Sequence, residues 1–188
     1  MTTIGIDAVQ AIFLDRDGVL NENRADHVKS RREFVWLPGA LDALAALARQ
    51  DRPIIVITNQ SMVGRGIAQE SVLDGIHTRM CQEARAHGGR IDAVYACLHT
   101  PSDACPCRKP QPGLLHQAAV DHRIDLTRSI LIGDAFTDYQ AAMAAGMAYI
   151  QVRSSRDATD TPRVLGADRT IQVVANLLAA VPLCTTTP

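Results

Sequence analysis

Short, nearly unbroken apolar runs that stop dead at polar residues constrain this chain more than any other feature. Ala11–Leu14 halts at Asp15, Ile54–Ile57 at Thr58-Asn59, and Ile130–Ile132 at Gly133-Asp134. Ala93–Ala96 and Ala148–Val152 are two further runs of the same kind. Runs this short and this continuous suit strands buried on both faces of a parallel sheet. Helical spacing separates them: Leu41, Leu44, Ala45, Leu47 and Ala48, then Gln69–Ala86 before Gly88-Gly89, Leu114–Val120, Tyr139–Ala145, and a closing helix over Val173–Ala180. The alternation predicts an α/β, Rossmann-like three-layer sandwich with a mostly parallel sheet and helices on both faces. Residues 21–37 and 99–112 read as irregular.

The 188 residues suit a single domain, 1–188, with a frayed tail over about 183–188. A net charge of −1 supplies no field for nucleic acid or an anionic membrane, and only 4% aromatic residues argue against a base-stacking platform. No apolar run reaches the roughly 18 residues of a membrane span. Met1–Asp7 has neither the basic nor the apolar region of a signal peptide, so a cytoplasmic protein is expected. A monomer acting on a small molecule is the expected mode of action, with no nucleic-acid or membrane partner.

The polar strand ends carry the chemistry. In an open α/β sheet the carboxyl ends of the strands form the ligand crevice. Asp15, Asp17, Thr58, Asn59 and Asp134 should therefore converge there. Clustered carboxylates repel one another unless a cation sits among them, and hard oxygen ligands at that density suit Mg²⁺. Thr58 offers a hydroxyl to a phosphoryl oxygen, and Arg108 and Lys109 lie in a loop that can return to the crevice with positive charge. Carboxylates, Mg²⁺, a hydroxyl and a lysine point to phosphoryl transfer.

The five cysteines are too few and too clustered for a disulfide scaffold. Cys97, His99, Cys105 and Cys107 form C-x-H-x5-C-x-C, a four-ligand set for structural Zn²⁺ in a loop over about 97–107. With all four positions filled by protein, that metal would shape the loop beside Arg108 and Lys109 rather than catalyse. Cys81 and Cys184 read as bystanders.

Phe13–Asn21, with its Asp15-Arg16-Asp17-Gly18, resembles the first motif of the haloacid dehalogenase superfamily of phosphatases. Ile57–Gln60 resembles the second, Lys109 the third, and Ile132–Asp138 the fourth. The resemblance implies that Asp15 is the nucleophile and Asp17 the general acid/base, with a raised pKa. It implies that Asp15, the backbone carbonyl of Asp17, and Asp134 hold Mg²⁺, and that Thr58, Arg108 and Lys109 stabilise the phosphoryl group. Asp138 would either support the site or serve its helix.

Within that superfamily the zinc loop and the run Cys107-Arg108-Lys109-Pro110 resemble two branches. One removes the 7-phosphate of a heptose 1,7-bisphosphate, on the way to nucleotide-activated heptose for lipopolysaccharide or related glycans. The other acts on histidinol phosphate. Asn21, the run Asn59-Gln60-Ser61 and Lys109–Leu114 favour the heptose branch, whereas the short x5 spacer is closer to many histidinol-phosphate enzymes. The resemblance implies a pocket lined by Asn23, Arg24, Ala25 and Asp26, by Thr58, Asn59, Gln60 and Ser61, and by Arg65, Arg108 and Lys109. His27, Lys29, Arg31 and Arg32 either meet a second phosphate or form a solvated basic loop. Ala135 departs from the Lys or Arg common after the fourth-motif Asp. No large cap domain is visible. Two non-enzymatic readings, a phosphoacceptor signalling module and a zinc-bound interaction module, leave Asp17 or the strand-end carboxylates unexplained.

Overall fold

The computed structural model describes residues 9–155, 159–168 and 171–184. Met1–Asp7 and Thr185–Pro188, on which the expectations of a leaderless start and a frayed tail rested, lie outside the described residues. Among the described residues six strands form one parallel sheet: β1 (Ala11–Leu14), β2 (Ile54–Asn59), β3 (Ala93–Cys97), β4 (Ser129–Gly133), β5 (Ala148–Val152) and β6 (Gln172–Val174), in the order β3-β2-β1-β4-β5-β6. Six helices connect or follow them: α1 (Ala40–Leu47), α2 (Glu70–Ala86), α3 (Gly113–His122), α4 (Phe136–Ala144), α5 (Asp160–Ala167) and α6 (Leu177–Cys184). The expected three-layer sandwich is what forms.

Side chains alternate across each strand and so feed two cores. Ile12 and Leu14 of β1 pack with Leu44 and Leu47 of α1, Ile76 and Met80 of α2, and Leu177 of α6. Ala11 and Phe13, one residue out of step, pack with Leu114 and Leu115 of α3, Ala141 and Ala142 of α4, and Val164 of α5. Ile12, Phe13 and Leu14 are wholly buried. Burying each such large side chain contributes about 1.5–3 kcal/mol. The continuity of the run is thus explained by a helical layer on either side.

Strand order reverses at β1, which pairs with β2 on one side and β4 on the other. Leu14 lies level with both Val56 and Ile132. The residues just beyond, Asp15, Ile57-Thr58 and Gly133-Asp134, therefore emerge together at the switch point, the usual ligand crevice of such sheets. Among the described residues the long β1–α1 connection holds one 3-10 turn (Arg31–Glu33) and two isolated bridges, Asp17 with Asn21 and Asn21 with Trp36, and no large cap.

The C-terminal region differs from expectation. Val173 and Val174 do not open a helix; they belong to β6, in register with Gln151 and Val152. The free edge of β5 takes up these β-branched residues. The helix starts later, at Leu177, where Asn176 Oδ1 accepts from Ala179 N at 3.0 Å as a side-chain cap. It runs through Leu183 and Cys184, residues expected to fray. Helix α5 escaped the sequence reading altogether.

Candidate active site

The sequence Asp15-Arg16-Asp17 leaves β1 at the switch point, and the two carboxylates meet different environments. Asp15 is buried and its Oδ1 accepts from Lys109 Nζ at 2.8 Å and from the Arg16 amide at 2.7 Å. Lys109 Nζ also pairs with Asp138 Oδ1 at 2.6 Å and donates to Ile57 O at 2.9 Å, so the ammonium sits among three oxygens. Burial, reinforced by the nearby Asp138, pushes Asp15 up to about 8 despite the lysine. Burial works against the charge on Lys109, but Asp138 and Asp15 outweigh it and hold its pKa above the ordinary value.

Asp134 follows β4. Its Oδ2 accepts from Ser154 Oγ at 2.6 Å, while Gln151 Nε2 donates to its backbone carbonyl at 2.7 Å. Two glycines make room. A Cβ on Gly18, whose φ is +92°, would lie 2.2 Å from Asp134 Oδ2, and one on Gly133 would lie 2.5 Å from Asp138 Cβ. Carboxylate oxygens of Asp15, Asp134 and Asp138 consequently fall within 4.8 Å of one another. Three buried carboxylates face one ammonium, a surplus of negative charge that a hard divalent cation would balance. The donor set fits Mg²⁺.

Asp138 serves both purposes between which the sequence could not choose. Its Oδ2 accepts from the Ala135 amide at 3.0 Å, capping α4, while its Oδ1 holds Lys109.

Asp17 corrects an expectation. Its pKa is not raised. Burial is the largest single influence and pushes it up, but the Arg16 guanidinium together with hydrogen bonds from Asn21, Arg16 and Gln60 outweighs it, and the result lies below the usual carboxylate value. Arg16 Nη2 reaches both Asp17 oxygens at 2.9 and 3.0 Å, Asn21 Nδ2 reaches Oδ1 at 2.9 Å, and Gln60 Nε2 reaches Oδ2 at 2.7 Å. Nothing in the sequence signalled that a residue between two aspartates would turn inward and be wholly buried.

Of the remaining expected residues, Asn23, Arg24, Ala25, Thr58, Asn59, Gln60, Ser61, Arg108 and Lys109 line, with Asp15 and Asp17, a pocket of about 610 Å³. Asn59 also clamps the loop that carries Lys109: its Nδ2 donates to Lys109 O at 3.0 Å and its Oδ1 accepts from Lys109 N at 3.1 Å. Gln60 links Asp17 to Thr58 Oγ1 at 2.8 Å. Asp26 and Arg65 are not among the lining residues. Asp26 pairs with Arg24 and Lys29, and Arg65 Nε donates to Ser61 Oγ at 3.4 Å. Of the basic loop, His27 lines the pocket; Lys29 is held by Asp26 and Glu33, and the Arg31 carbonyl accepts from Arg79. Ala135, Thr137 and Asp160 also line it, so the position usually basic is here a methyl group. Asp160, missed with its helix, accepts from the Phe136 amide at 3.1 Å.

Beside the pocket, the Sγ atoms of Cys97, Cys105 and Cys107 and Nδ1 of His99 form a tight group. Cys107 Sγ lies 3.3 Å from Cys97 Sγ, 3.2 Å from Cys105 Sγ and 3.3 Å from His99 Nδ1; Cys97 Sγ lies 3.6 Å from Cys105 Sγ. Tetrahedral thiolates around Zn²⁺ at about 2.3 Å stand roughly 3.7 Å apart. Burial and the two neighbouring sulfurs push the Cys107 thiol up to about 12, so three thiolates here call for a cation. The donor set fits zinc. Cys81 and Cys184 stand apart from it. The loop is tied to the pocket by Gln60 N donating to Cys97 O at 2.7 Å and by Arg108 Nη1 donating to His99 O at 3.2 Å.

A doubly wound parallel sheet with an Asp-x-Asp after its first strand, a buried lysine and a second acidic cluster at the switch point defines a haloacid dehalogenase-like hydrolase. The HAD-hyrolase-like family model matches residues 106–180. The D-glycero-beta-D-manno-heptose-1,7-bisphosphate 7-phosphatase of Bordetella bronchiseptica is 41% identical over 140 residues, covering 74% of this chain and 78% of the relative. The Yersinia pestis enzyme of the same name is 33% identical over 182 residues, covering 93% and 96%. A crystal structure of the D,D-heptose 1,7-bisphosphate phosphatase from B. bronchiseptica, complexed with magnesium and phosphate, superposes with a TM-score of 0.87 at 36% identity, covering 92% of this chain and 96% of that one. The chain belongs to the family of these haloacid dehalogenase-like phosphatases and is a phosphoric monoester hydrolase.

Proposed function

We propose that this chain hydrolyses the 7-phosphate of D-glycero-β-D-manno-heptose 1,7-bisphosphate through an aspartyl-phosphate, as one catalytic domain. The similarity to enzymes of that name, extending over 93% of the chain, supports the substrate. The buried Asp15–Lys109–Asp138 arrangement supports the chemistry.

An Asp15 carboxylate oxygen attacks phosphorus, and the P–O bond to the sugar breaks as Asp17 delivers a proton to the departing oxygen. Lys109 and the Thr58 hydroxyl take up charge that develops on the phosphoryl oxygens, and Arg108 adds a second cation at the rim. Water then attacks the aspartyl-phosphate while the Asp17 carboxylate accepts its proton, and Asp15 is restored. Arg16, Asn21 and Gln60 hold the unliganded Asp17 as a carboxylate, the form this second half needs; the proton it delivers in the first half would arrive with the phosphate ester, and the one it takes from water would leave with the product phosphate. Asp15, Asp134 and the Asp17 backbone carbonyl would hold Mg²⁺, which supplies charge neutralisation between nucleophile and phosphate. Asn23, Arg24, Ala25, Asn59, Gln60 and Ser61 would surround the sugar. The zinc group would shape the loop that presents Arg108 and Lys109.

Purified protein with Mg²⁺ should release one phosphate per heptose bisphosphate and leave the 1-phosphate, read by ³¹P NMR. Equal or faster turnover of histidinol phosphate would overturn the substrate.

A further inference from the structure

Helix α2 buries Leu73, Ile76, Met80 and Ala84, an apolar stripe at helical spacing. His77 sits beside Ile76, on the edge of that stripe, where an apolar residue would be ordinary. Its ring turns to a polar partner. His77 Nε2 lies 3.1 Å from Arg16 Nη1. Arginine only donates, so Nε2 must be the unprotonated acceptor and the ring must be neutral. Burial, with Arg16 beside it, holds its pKa down to about 4, which agrees.

The wholly buried guanidinium of Arg16 is held on two sides. Nη1 donates to His77, and Nη2 reaches both oxygens of Asp17; Nε has no hydrogen-bond partner among the described residues. The orientation of the fork therefore rests on His77 at one end and Asp17 at the other, and the fork sets the rotamer of Asp17 together with Asn21 and Gln60. A planar guanidinium transmits orientation because its donors are rigidly related. We infer that His77 is a positioning residue that acts through Arg16 to aim the Asp17 carboxylate at the water which hydrolyses the aspartyl-phosphate. This rests on the proposed role of Asp17. A relay from a helix that carries no other part of the site would make the second half-reaction depend on how α2 packs.

The test separates the half-reactions. Rapid acid quench during turnover of a labelled aryl phosphate with Mg²⁺ measures formation and decay of the aspartyl-phosphate. His77→Leu preserves burial and removes the acceptor. Decay should slow about ten-fold, a part of the roughly 10²–10⁴ that a positioned base contributes, while formation, whose aryl leaving group departs without needing the proton of Asp17, changes less than about two-fold and phosphoenzyme accumulates. His77→Gln, whose carbonyl oxygen can accept from Arg16, should recover most of the loss. Equal losses in both steps, or no loss in soluble, normally melting protein, would overturn the inference and leave His77 a packing residue. Should His77→Leu fail to fold, His77→Gln decides alone: decay slowed more than formation supports the relay, and both slowed equally refutes it. Asp17→Asn runs beside them. Wild-type decay in that variant would overturn the role of Asp17, and the relay with it; slowed decay in Asp17→Asn with wild-type decay in both His77 variants would overturn the relay alone.

Discussion

The carboxylate cluster and the cysteine cluster converge on one lysine yet are assembled in opposite ways. Asp15, Asp134 and Asp138 come from two strand ends and a helix start, Asp15 more than a hundred residues before the other two, and all three are buried. Cys97, His99, Cys105 and Cys107 come from the end of β3 and the loop that follows it, and only Cys97 is buried. The first group depends on sheet register and on small residues such as Gly18 that let carboxylates approach. The second needs little beyond its own spacing and a cation. A site built from distant strands is as rigid as the sheet, which suits a nucleophile that must be aligned to within a fraction of an ångström. A site built from one short stretch of chain suits the proposed clip beside Arg108 and Lys109.

The contrast predicts chemical failure on one side and structural failure on the other. The largest effect should come from Asp15→Asn, which keeps the shape of the site and removes the proposed nucleophile. Turnover should fall by about four orders of magnitude or more with the fold intact, as judged by initial rates and circular dichroism. Near-wild-type activity would mean that the carboxylate cluster is not where the chemistry occurs. Lys109→Met should follow, lowering kcat by roughly 10²–10³-fold, because a preorganised cation is lost and Asp15 and Asp138 are left unneutralised.

Cys107→Ser tests the other cluster. Metal analysis should fall from one zinc per chain to none, the melting temperature should drop by roughly 5–10 °C, and activity should fall with it through loosening of the Lys109 loop. A zinc-free, fully active protein of unchanged stability would remove the cysteine cluster from the functional account.

The smallest effect concerns pH. His77 has a folded pKa near 4, below the ordinary 6.5, so between those values the unfolded chain binds the extra proton. Its contribution to stability is present in full above pH 6.5 and is lost as pH falls through 6.5 toward 4. It amounts to a few kcal/mol at most. Denaturant unfolding of the wild type should show that slope, and His77→Gln should flatten it. An equal slope in both would show that His77 does not carry the acid sensitivity of this side of the molecule.

Much of the site was legible because its signals are local. A strand run that ends in Asp15 or Asp134 says where the crevice lies, and C-x-H-x5-C-x-C says which side chains cluster as a ligand set. The double duty of Asp138 was not legible, because capping its own helix and holding Lys109 are contacts of very different sequence range. Asp17 was misjudged for a related reason. Its role suggested a raised pKa, but its charge state is set by Arg16, Asn21 and Gln60, and only the last of these arrives from another strand. At the C-terminal end Val173-Val174 can join a strand or a helix by composition alone, and the open edge of β5 decided the matter.

By itself, then, the sequence determined the layered sheet, the identity of the charged residues at its edge, and the metal-type loop, because hydrophobic period and ligand spacing are properties of contiguous residues. The tertiary structure decided what those charges experience. Which carboxylate is pushed up, which is held down, and which buried arginine connects Asp17 to a histidine on α2 depend on desolvation and on partners brought within about 3 Å, and no stretch of chain contains that information alone.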